Sequence, residues 1–190
     1  MGLAWLTGCV LFVPVTKIED LQFEGIDHVA VAEIEDQSGG RPLQVVGSGN
    51  LQRVTLSTRE SLSAIIRRRK LDTARSEVFF CDESAEAREI FKHDPWVYAG
   101  AERLQPVVPG ENAADLPRED GRYVYSILFD RPAPIYQSEY VNGQRPQLGT
   151  VDIEAPAKPV CLQIYVTEYW FGRLLKTNIV PLQTLADAAP

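Results

Sequence analysis

Histidine is scarce in this sequence of 190 residues, and the recurring catalytic motifs are missing. The two histidines, His28 and His93, are far apart in the sequence, which gives no metal-ligand spacing. Nucleophile-elbow, zinc-protease, phosphate-loop, dinucleotide and EF-hand patterns are all lacking. We therefore predict no catalytic residue, no metal site and no cofactor, and the sequence gives no positive sign of an enzyme.

Positive charge is also in short supply, with 19 Lys and Arg against 26 Asp and Glu and a net charge of −7. A broad nucleic-acid surface needs clustered positive charge that displaces counterions from phosphates, so we expect no nucleic-acid partner. Internal apolar stretches of the ~20 residues that span a bilayer are missing as well. Contact with a membrane can therefore be sought only in the first segment of the chain.

That first segment carries no charge before Lys17, and only Thr7 is clearly polar between Met1 and Val15. A helix of this length would reach about 22 Å, which is too short for the hydrocarbon core of a bilayer. We interpret the segment as the apolar end of a secretion signal. A buried strand or helix of a cytoplasmic domain is the alternative.

Within the segment, Leu6-Thr7-Gly8-Cys9 places an aliphatic residue and two small residues before a cysteine. This pattern resembles the lipobox of bacterial lipoproteins, whose cysteine is acylated and becomes the new N-terminus. The resemblance implies that residues 1–8 are a signal-peptide remnant and that acyl chains on Cys9 hold the protein on a membrane. Val10 is not the Asp that retains enterobacterial lipoproteins in the inner membrane, so the implied location is the periplasmic face of the outer membrane.

With Cys9 assigned to the lipid, Cys81 and Cys161 remain as a pair in an oxidising compartment. A bond between them would close a loop of 80 residues, which the chain-entropy model values at about 4.5 kcal/mol. We predict this disulfide for a secreted chain. Two unrelated buried thiols are the alternative, which a cytoplasmic location would favour.

The rest of the chain predicts one domain between two less regular ends. Residues 9–24 are expected to form a polar, lipid-anchored tether, residues 25–182 a single globular β-rich domain, and residues 183–190 a flexible tail. Short strand-like runs with few helices predict an α+β fold: a mainly antiparallel β-sheet or sandwich with one or two short helices.

The strand predictions are clearest in the last third of the chain. Alternation gives RYVYSILFD one apolar face, which consists of Tyr123, Tyr125, Ile127 and Phe129. VCLQIYVTEYWFG alternates in the same way, and Asn142-Gly143 predicts a hairpin. We also predict a strand over Trp96–Leu104 and a long surface loop over residues 105–121.

Two helices are predicted. The first has Ser57 or Thr58 as its N-cap, an apolar stripe and four basic residues, Arg67–Lys70, in its last turn, where they complement the helix dipole. The basic run is interpreted as a solvated helix end, with an anionic-lipid patch as the alternative. The second helix is short and acidic, in DESAEAREIFK.

Aromatic side chains near the C-terminus form the candidate binding surface: Tyr136, Tyr140, Tyr165 and Tyr169. Tyr165 and Tyr169 alternate with polar residues in their strand, which favours exposure. Packing in the core or against the back of the sheet is the alternative.

Acid–base chemistry has weaker candidates. Neighbouring carboxylates such as Asp82 and Glu83 could support a glycosidase-like mechanism, although nothing in the sequence places them opposite a substrate. His93 lies in KHDPW, where a turn is the simpler interpretation. His28 is expected to be half-buried in a sheet and bonded to a carboxylate.

These observations favour a non-catalytic, lipid-anchored envelope protein that binds another protein or accompanies an envelope assembly. An acidic periplasmic immunity protein that neutralises a toxin is a second hypothesis, supported by charge and compartment. An envelope hydrolase that uses carboxylates or His93 is a third. The partner's identity does not follow from the sequence.

Overall fold

The computed structural model describes residues 15–30, 50–71, 74–82, 90–91, 97–100, 102–103, 117–136, 146–168 and 172–182. This part of the chain contains one helix, α1 (Leu62–Arg69), and thirteen strands. The strands are β1 (Thr16–Ile18), β2 (Gln22–Ala30), β3 (Asn50–Thr58), β4 (Ala74–Phe80), β5 (Ile90–Phe91), β6 (Val97–Ala99), β7 (Glu102–Arg103), β8 (Tyr123–Asp130), β9 (Ala133–Tyr136), β10 (Gln147–Val151), β11 (Val160–Glu168), β12 (Gly172–Thr177) and β13 (Val180–Pro181).

The strands form two sheets. The larger sheet has eight strands in the order β1-β12-β11-β4-β5-β9-β10, with β13 also paired to β11. The smaller sheet has five strands in the order β2-β3-β8-β6-β7. Among the described residues, every pairing is antiparallel except that of β1 with β12, which is parallel. The predicted fold class, α+β with mainly antiparallel sheet, is therefore confirmed.

One hydrophobic core joins the two sheets and the helix. The smaller sheet contributes Val54, Leu56 and Ile127, and the larger sheet contributes Leu162 and Ile164. The predicted alternation in β8 is confirmed, because the core side of that strand carries Tyr125, Ile127 and Phe129, all buried. Burial of these apolar side chains is the main favourable term that holds the sheets together.

The helix ends with its basic run as the sequence predicts, but it begins about one turn later than predicted, at Leu62. Ser61, not Ser57 or Thr58, is the N-cap, and its Oγ accepts a hydrogen bond of 2.9 Å from the Ala64 N–H. Ser57 is instead buried within β3. Lys70 ends the helix in the left-handed conformation, with φ of 54°, and its N–H bonds the Arg67 carbonyl at 3.2 Å.

The predicted tether is wrong from Thr16 onward. Residues 16–18 form β1 in the larger sheet, and Ile18 and Leu21 are buried in the core. Asn178 fastens this segment: its Oδ1 accepts from the Leu21 N–H at 2.9 Å, and its Nδ2 donates to the Leu21 carbonyl at 3.0 Å. The polar residues that suggested a tether alternate with these buried side chains. Residues 9–14 and 183–190 lie outside the described part.

Two other element predictions need correction. Trp96–Leu104 was predicted as one strand, but the described residues form a tight hairpin of β6 and β7, with Gly100 at φ of 59° between them. Ile90 and Phe91, predicted to end the acidic helix, form strand β5. Residues 83–89, the middle of that predicted helix, lie outside the described residues, as does Asn142-Gly143.

Candidate functional site

The two cysteines of the predicted pair form a disulfide between neighbouring strands. Cys81 follows β4 and Cys161 lies near the start of β11, with their Cα atoms 5.0 Å apart. The Cys81 N–H also donates to the Pro159 carbonyl at 2.8 Å, which continues the strand pairing beyond Phe80. The geometry agrees with the predicted pairing, and Cys9 lies outside the described residues.

The tyrosines predicted as a binding surface are not exposed where the structure describes them. Tyr136 is 8% exposed and Tyr165 is 5% exposed, so neither offers a side chain to a partner. Tyr165 does lie on the polar side of β11, opposite Arg75 and Lys176 in register. That side of the sheet also holds buried Phe79, so it is partly covered, and alternation does not reveal a covered face. Tyr140 and Tyr169 lie outside the described part.

The candidate binding surface in this structure is an exposed sheet edge and not the predicted tyrosines. β10 ends the strand order of the larger sheet, and within the described residues it pairs on one side only, with β9. Residues 147–150 are all exposed, and Leu148, at 51%, is one of three large apolar side chains exposed in the described chain. The strand QLGTV has neither a charge nor a proline. Its bulge lies between Gln147 and Gly149, and residues 149–151 continue in regular register.

Five polar residues contact one another beside the smaller sheet. We call them the His28 cluster: His28, Gln52, Arg131, Asp152 and Glu154. His28 Nε2 lies 3.1 Å from Glu154 Oε2, and Arg131 Nη1 lies 2.6 Å from the same ring nitrogen. The predicted carboxylate contact of His28 is therefore present, and 53% of its side chain is exposed. The cluster joins β2 and β3 of the smaller sheet to the segments that follow β8 and β10.

Asp152 is the centre of the His28 cluster. Its carboxylate accepts hydrogen bonds from Gln52 Nε2 at 3.0 Å, from the Glu154 N–H at 3.1 Å, and from Arg131 Nη2 at 2.9 Å. Burial alone would raise the pKa of Asp152, but these hydrogen bonds and the Arg131 charge outweigh it and lower the pKa below 3.8. Gln52 is fully buried, and its Oε1 has no hydrogen-bond partner in the described part.

A second polar cluster lies where β1, β3 and the loop before β8 meet; we call it the Asp20 cluster, and it contains Asp20, Ser57, Thr58, Arg59 and Arg122. Asp20 accepts from the Thr58 hydroxyl and from the Arg59 N–H at 2.7 Å. Burial works to raise the pKa of Asp20, but these bonds and the charges of Arg122 and Arg59 lower it. Arg122 also donates to Ser57 Oγ at 2.8 Å.

The electrostatics of Asp20 and Asp152 do not suit a general acid. A general acid at neutral pH needs a carboxyl group whose pKa is raised, whereas the pKa values of Asp20 and Asp152 are lowered. Both carboxylates are charge partners of arginines and act as fixed hydrogen-bond acceptors. Asp82 is exposed at the end of β4, and Glu83 and His93 lie outside the described residues.

The sequence offered little sign of Arg131, Asp152 or Glu154. Each is an ordinary polar residue in a turn-rich segment, and their contacts with His28 and Gln52 span 100 residues or more along the chain. In the ranges that the structure describes, no group of three His, Cys, Asp or Glu side chains is arranged to hold a metal ion. No described helix is both long and apolar enough to cross a bilayer.

Comparisons of the chain with protein-family models, with curated proteins and with solved structures returned no match. The lipobox resemblance concerns processing of the N-terminus and covers four residues, so it does not assign a domain family. The functional conclusion therefore depends on the sequence and geometry of this chain.

Proposed function

We propose that this chain is a non-catalytic, lipid-anchored protein of the bacterial envelope, held on the periplasmic face of the outer membrane, and that it binds another protein through the edge strand β10. The observation that carries the binding proposal is the exposure of β10 at the end of the larger sheet. The lipobox-like Leu6–Cys9 and the Cys81–Cys161 disulfide support the location, because disulfides persist in oxidising compartments.

An exposed sheet edge binds a partner by strand addition. Backbone N–H and C=O groups on the unpaired side of the strand accept a further extended segment, and side-chain contacts give specificity. The exposed residues of β10 that such a segment would meet include Leu148, Gly149 and Thr150, none of which is charged. Strand pairing at this edge therefore removes no charged side chain of β10 from water. The occupant we propose is an extended, uncharged segment of a partner protein.

The contrast with β2 supports this choice of edge. β2 is the end strand of the smaller sheet, and at nine residues it is longer than β10. It carries Glu24, Asp27 and His28, whereas β10 carries no charge; both strands contain a register shift. Charged side chains are a common means of protecting an edge from unwanted pairing. The protein blocks β2 with charge and leaves β10 without it.

Site-specific photo-cross-linking in the native host tests the binding proposal. A benzophenone side chain placed at Leu148 should give a discrete product of higher mass in intact envelopes. The matched control is the same label at Ile179, which is 43% exposed in the segment between β12 and β13. Substituting Thr150→Lys in the Leu148-labelled chain should remove the product, because the new charge must be desolvated when a strand pairs.

Equal products from the Leu148 and Ile179 positions would overturn β10 as the binding edge, and so would a product that survives Thr150→Lys. A product with twice the mass of the chain would identify a second copy as the occupant, contrary to the proposal of a different partner. The mass of the product separates these outcomes.

Intact mass of the protein purified from membranes of its host tests the anchor. The proposal expects loss of Met1–Gly8, addition of acyl chains at Cys9, and a gain of two hydrogens on reduction of the disulfide. An unmodified chain beginning at Met1 would overturn the lipid anchor, and free thiols at Cys81 and Cys161 would overturn the oxidising location.

A further inference from the structure

We infer that one end of the fold is an electrostatic contact surface for anionic phospholipid headgroups, and that it orients the domain on the membrane to which Cys9 is anchored. We call this surface the basic end; it consists of Lys17, Arg67, Arg68, Lys70 and Lys176. The inference rests on the proposed lipid anchor and adds to it a defined orientation of the domain.

Strand register brings the basic end together from three separate parts of the sequence. Thr16 and Lys17 in β1 pair with Leu175 and Lys176 in β12. Leu175 pairs in turn with Val166 of β11, which pairs with the first residue of β4. β1 and β4 therefore begin at the same level of the larger sheet and run in the same direction.

The basic last turn of helix α1 lies at this same level of the larger sheet. The helix ends at Arg69, and β4 begins at Ala74, a few residues later. The Arg69 side chain donates a hydrogen bond to Thr16 Oγ1, which joins the end of the helix directly to the first residue of β1. The run Arg67–Lys70 and the strand that follows the anchor segment are therefore neighbours in space.

The charges of the basic end have no ion-pair partner among the described residues. Lys17, Arg67, Arg68 and Lys70 are exposed, Lys176 is half-buried, and in the described part of the chain none of the five forms an ion pair. The arginines elsewhere that are paired with carboxylates are Arg53, Arg118, Arg122 and Arg131. A protein with a net charge of −7 thus concentrates unpaired positive charge at one end.

The position of Cys9 makes an anionic membrane the partner of this charge. Cys9 precedes Thr16 by seven residues, which at full extension reach at most about 25 Å. The chain enters β1 from the side on which α1 ends and β4 begins. Anchoring at Cys9 therefore keeps the basic end near the headgroups, where each Lys or Arg contributes about a fivefold preference for an anionic surface. The acidic remainder of the protein is repelled by the same surface.

Lysine footprinting on vesicles tests the inference without requiring natural acylation. The full chain, with its disulfide intact, is coupled through the Cys9 thiol to a maleimide headgroup lipid. The vesicles contain either phosphatidylcholine alone or phosphatidylcholine with phosphatidylglycerol. Rates of acetylation by an amine-reactive ester are then measured at Lys17, Lys70 and Lys158 by mass spectrometry. Lys158 precedes β11 at the opposite end of the sheet and is the internal control.

We expect the rates at Lys17 and Lys70 to fall on the order of fivefold on anionic vesicles, while the rate at Lys158 stays unchanged. About 1 M salt should abolish the difference, because the Debye length falls to about 3 Å. The double substitution Arg67→Gln with Arg68→Gln should reduce the protection of Lys70. The matched double substitution Arg59→Gln with Arg118→Gln, which removes the same charge elsewhere, should preserve it.

Equal rates on neutral and anionic vesicles would overturn the inference and would leave an acidic protein as the partner to be sought for the basic end. Equal protection of all three lysines would overturn it too, since the domain would then have no preferred orientation. The coupling is chemical, so either result leaves the proposed natural anchor untouched. Only the intact mass of the native protein decides the anchor.

Discussion

Single carboxylates in this protein owe their pKa values to residues that are distant in sequence. Asp152 receives hydrogen bonds from Gln52 and Arg131, and Asp20 receives them from Thr58 and Arg59. In both cases burial opposes ionisation, and the hydrogen bonds and arginine charges outweigh it. A carboxylate held in this way stabilises the fold only while it is ionised.

Asp152→Asn should lower the free energy of unfolding by about 1–2 kcal/mol near neutral pH, because a charged acceptor of several hydrogen bonds becomes neutral. The folded-state pKa of Asp152 lies below 3.8, so its stabilisation is fully present above that pH and is lost as the pH falls through the folded value. Urea unfolding at about pH 7 and about pH 3 should therefore show a difference between variant and parent that shrinks in acid.

Asp82→Asn is the control for this experiment, because Asp82 is exposed and has no hydrogen bond within the described residues. It should leave the free energy of unfolding nearly unchanged at either pH. A constant deficit for Asp152→Asn at both values would contradict the electrostatic account and point to a packing defect.

Residue-scale prediction from the sequence was limited for the same physical reason. His28 was correctly expected to contact a carboxylate, but the carboxylate belongs to Glu154, 126 positions later. Tyr165 was expected to be exposed because its neighbours in the strand are polar, and it is buried. Alternation reports on which side of a strand a side chain lies, and burial depends on what covers that side.

At the scale of elements, helix α1 shows what local chemistry determines. Its apolar residues Leu62, Ile65 and Ile66 are buried, and its basic residues lie in the last turn, as predicted. The N-cap lies three or four positions later than predicted, because Ser57 and Thr58 are the last residues of β3 and the Ser57 hydroxyl donates to Glu24. Strand pairing thus overrode a capping signal that is sound in an isolated peptide. The hydroxyl of buried Tyr125 in β8 accepts the Leu62 N–H at 2.8 Å, a second satisfied donor at this helix start.

Ser61→Ala should lower the free energy of unfolding by about 1 kcal/mol, because the Ala64 N–H loses its side-chain acceptor. Ser61→Asp should restore most of this loss, since an aspartate at the N-cap accepts the same hydrogen bond and complements the helix dipole. Chemical denaturation of the three proteins measures both effects. Equal stability of Ser61→Ala and the parent would show that the cap contributes nothing here.

At the scale of the whole molecule, the disulfide constrains most of the chain between β4 and β11. The bonded cysteines are separated by 80 positions, a span that includes the strands β5–β10. Six strands of two different sheets therefore lie within one covalent loop. Long-range pairing of this kind costs more chain entropy than local hairpins do, and the cross-link removes part of that cost from the unfolded state.

Reduction of the disulfide should lower the free energy of unfolding by about 4.5 kcal/mol, the chain-entropy value for a loop of this length. Urea unfolding with and without a reductant measures the difference. The variant that combines Cys81→Ala with Cys161→Ala should be as unstable as the reduced parent and should not respond to reductant. A response in that variant would show that the reductant acts elsewhere.

Whole-molecule features were predictable only as a class. Strand alternation in β8 and β11 correctly predicted a β-rich α+β fold, because that signal is carried by neighbouring residues. The division into two sheets and the partner of each strand are set by contacts between distant segments, for which a single sequence gives no local signal. β1 shows this best: its residues read as a tether, and only the buried Ile18 and its pairing to β12 reveal a strand.

The parallel pairing of β1 with β12 determines when the N-terminal strand can join the larger sheet. Thr16 pairs with Leu175, so the first described strand to leave the ribosome must wait for almost the last one. A truncated chain that ends before Thr177 would lack the strand partner of Ile18 and the Asn178 side chain that bonds Leu21. The N-terminal strand therefore stays unpaired until β12 is available, and only then can this edge of the larger sheet form.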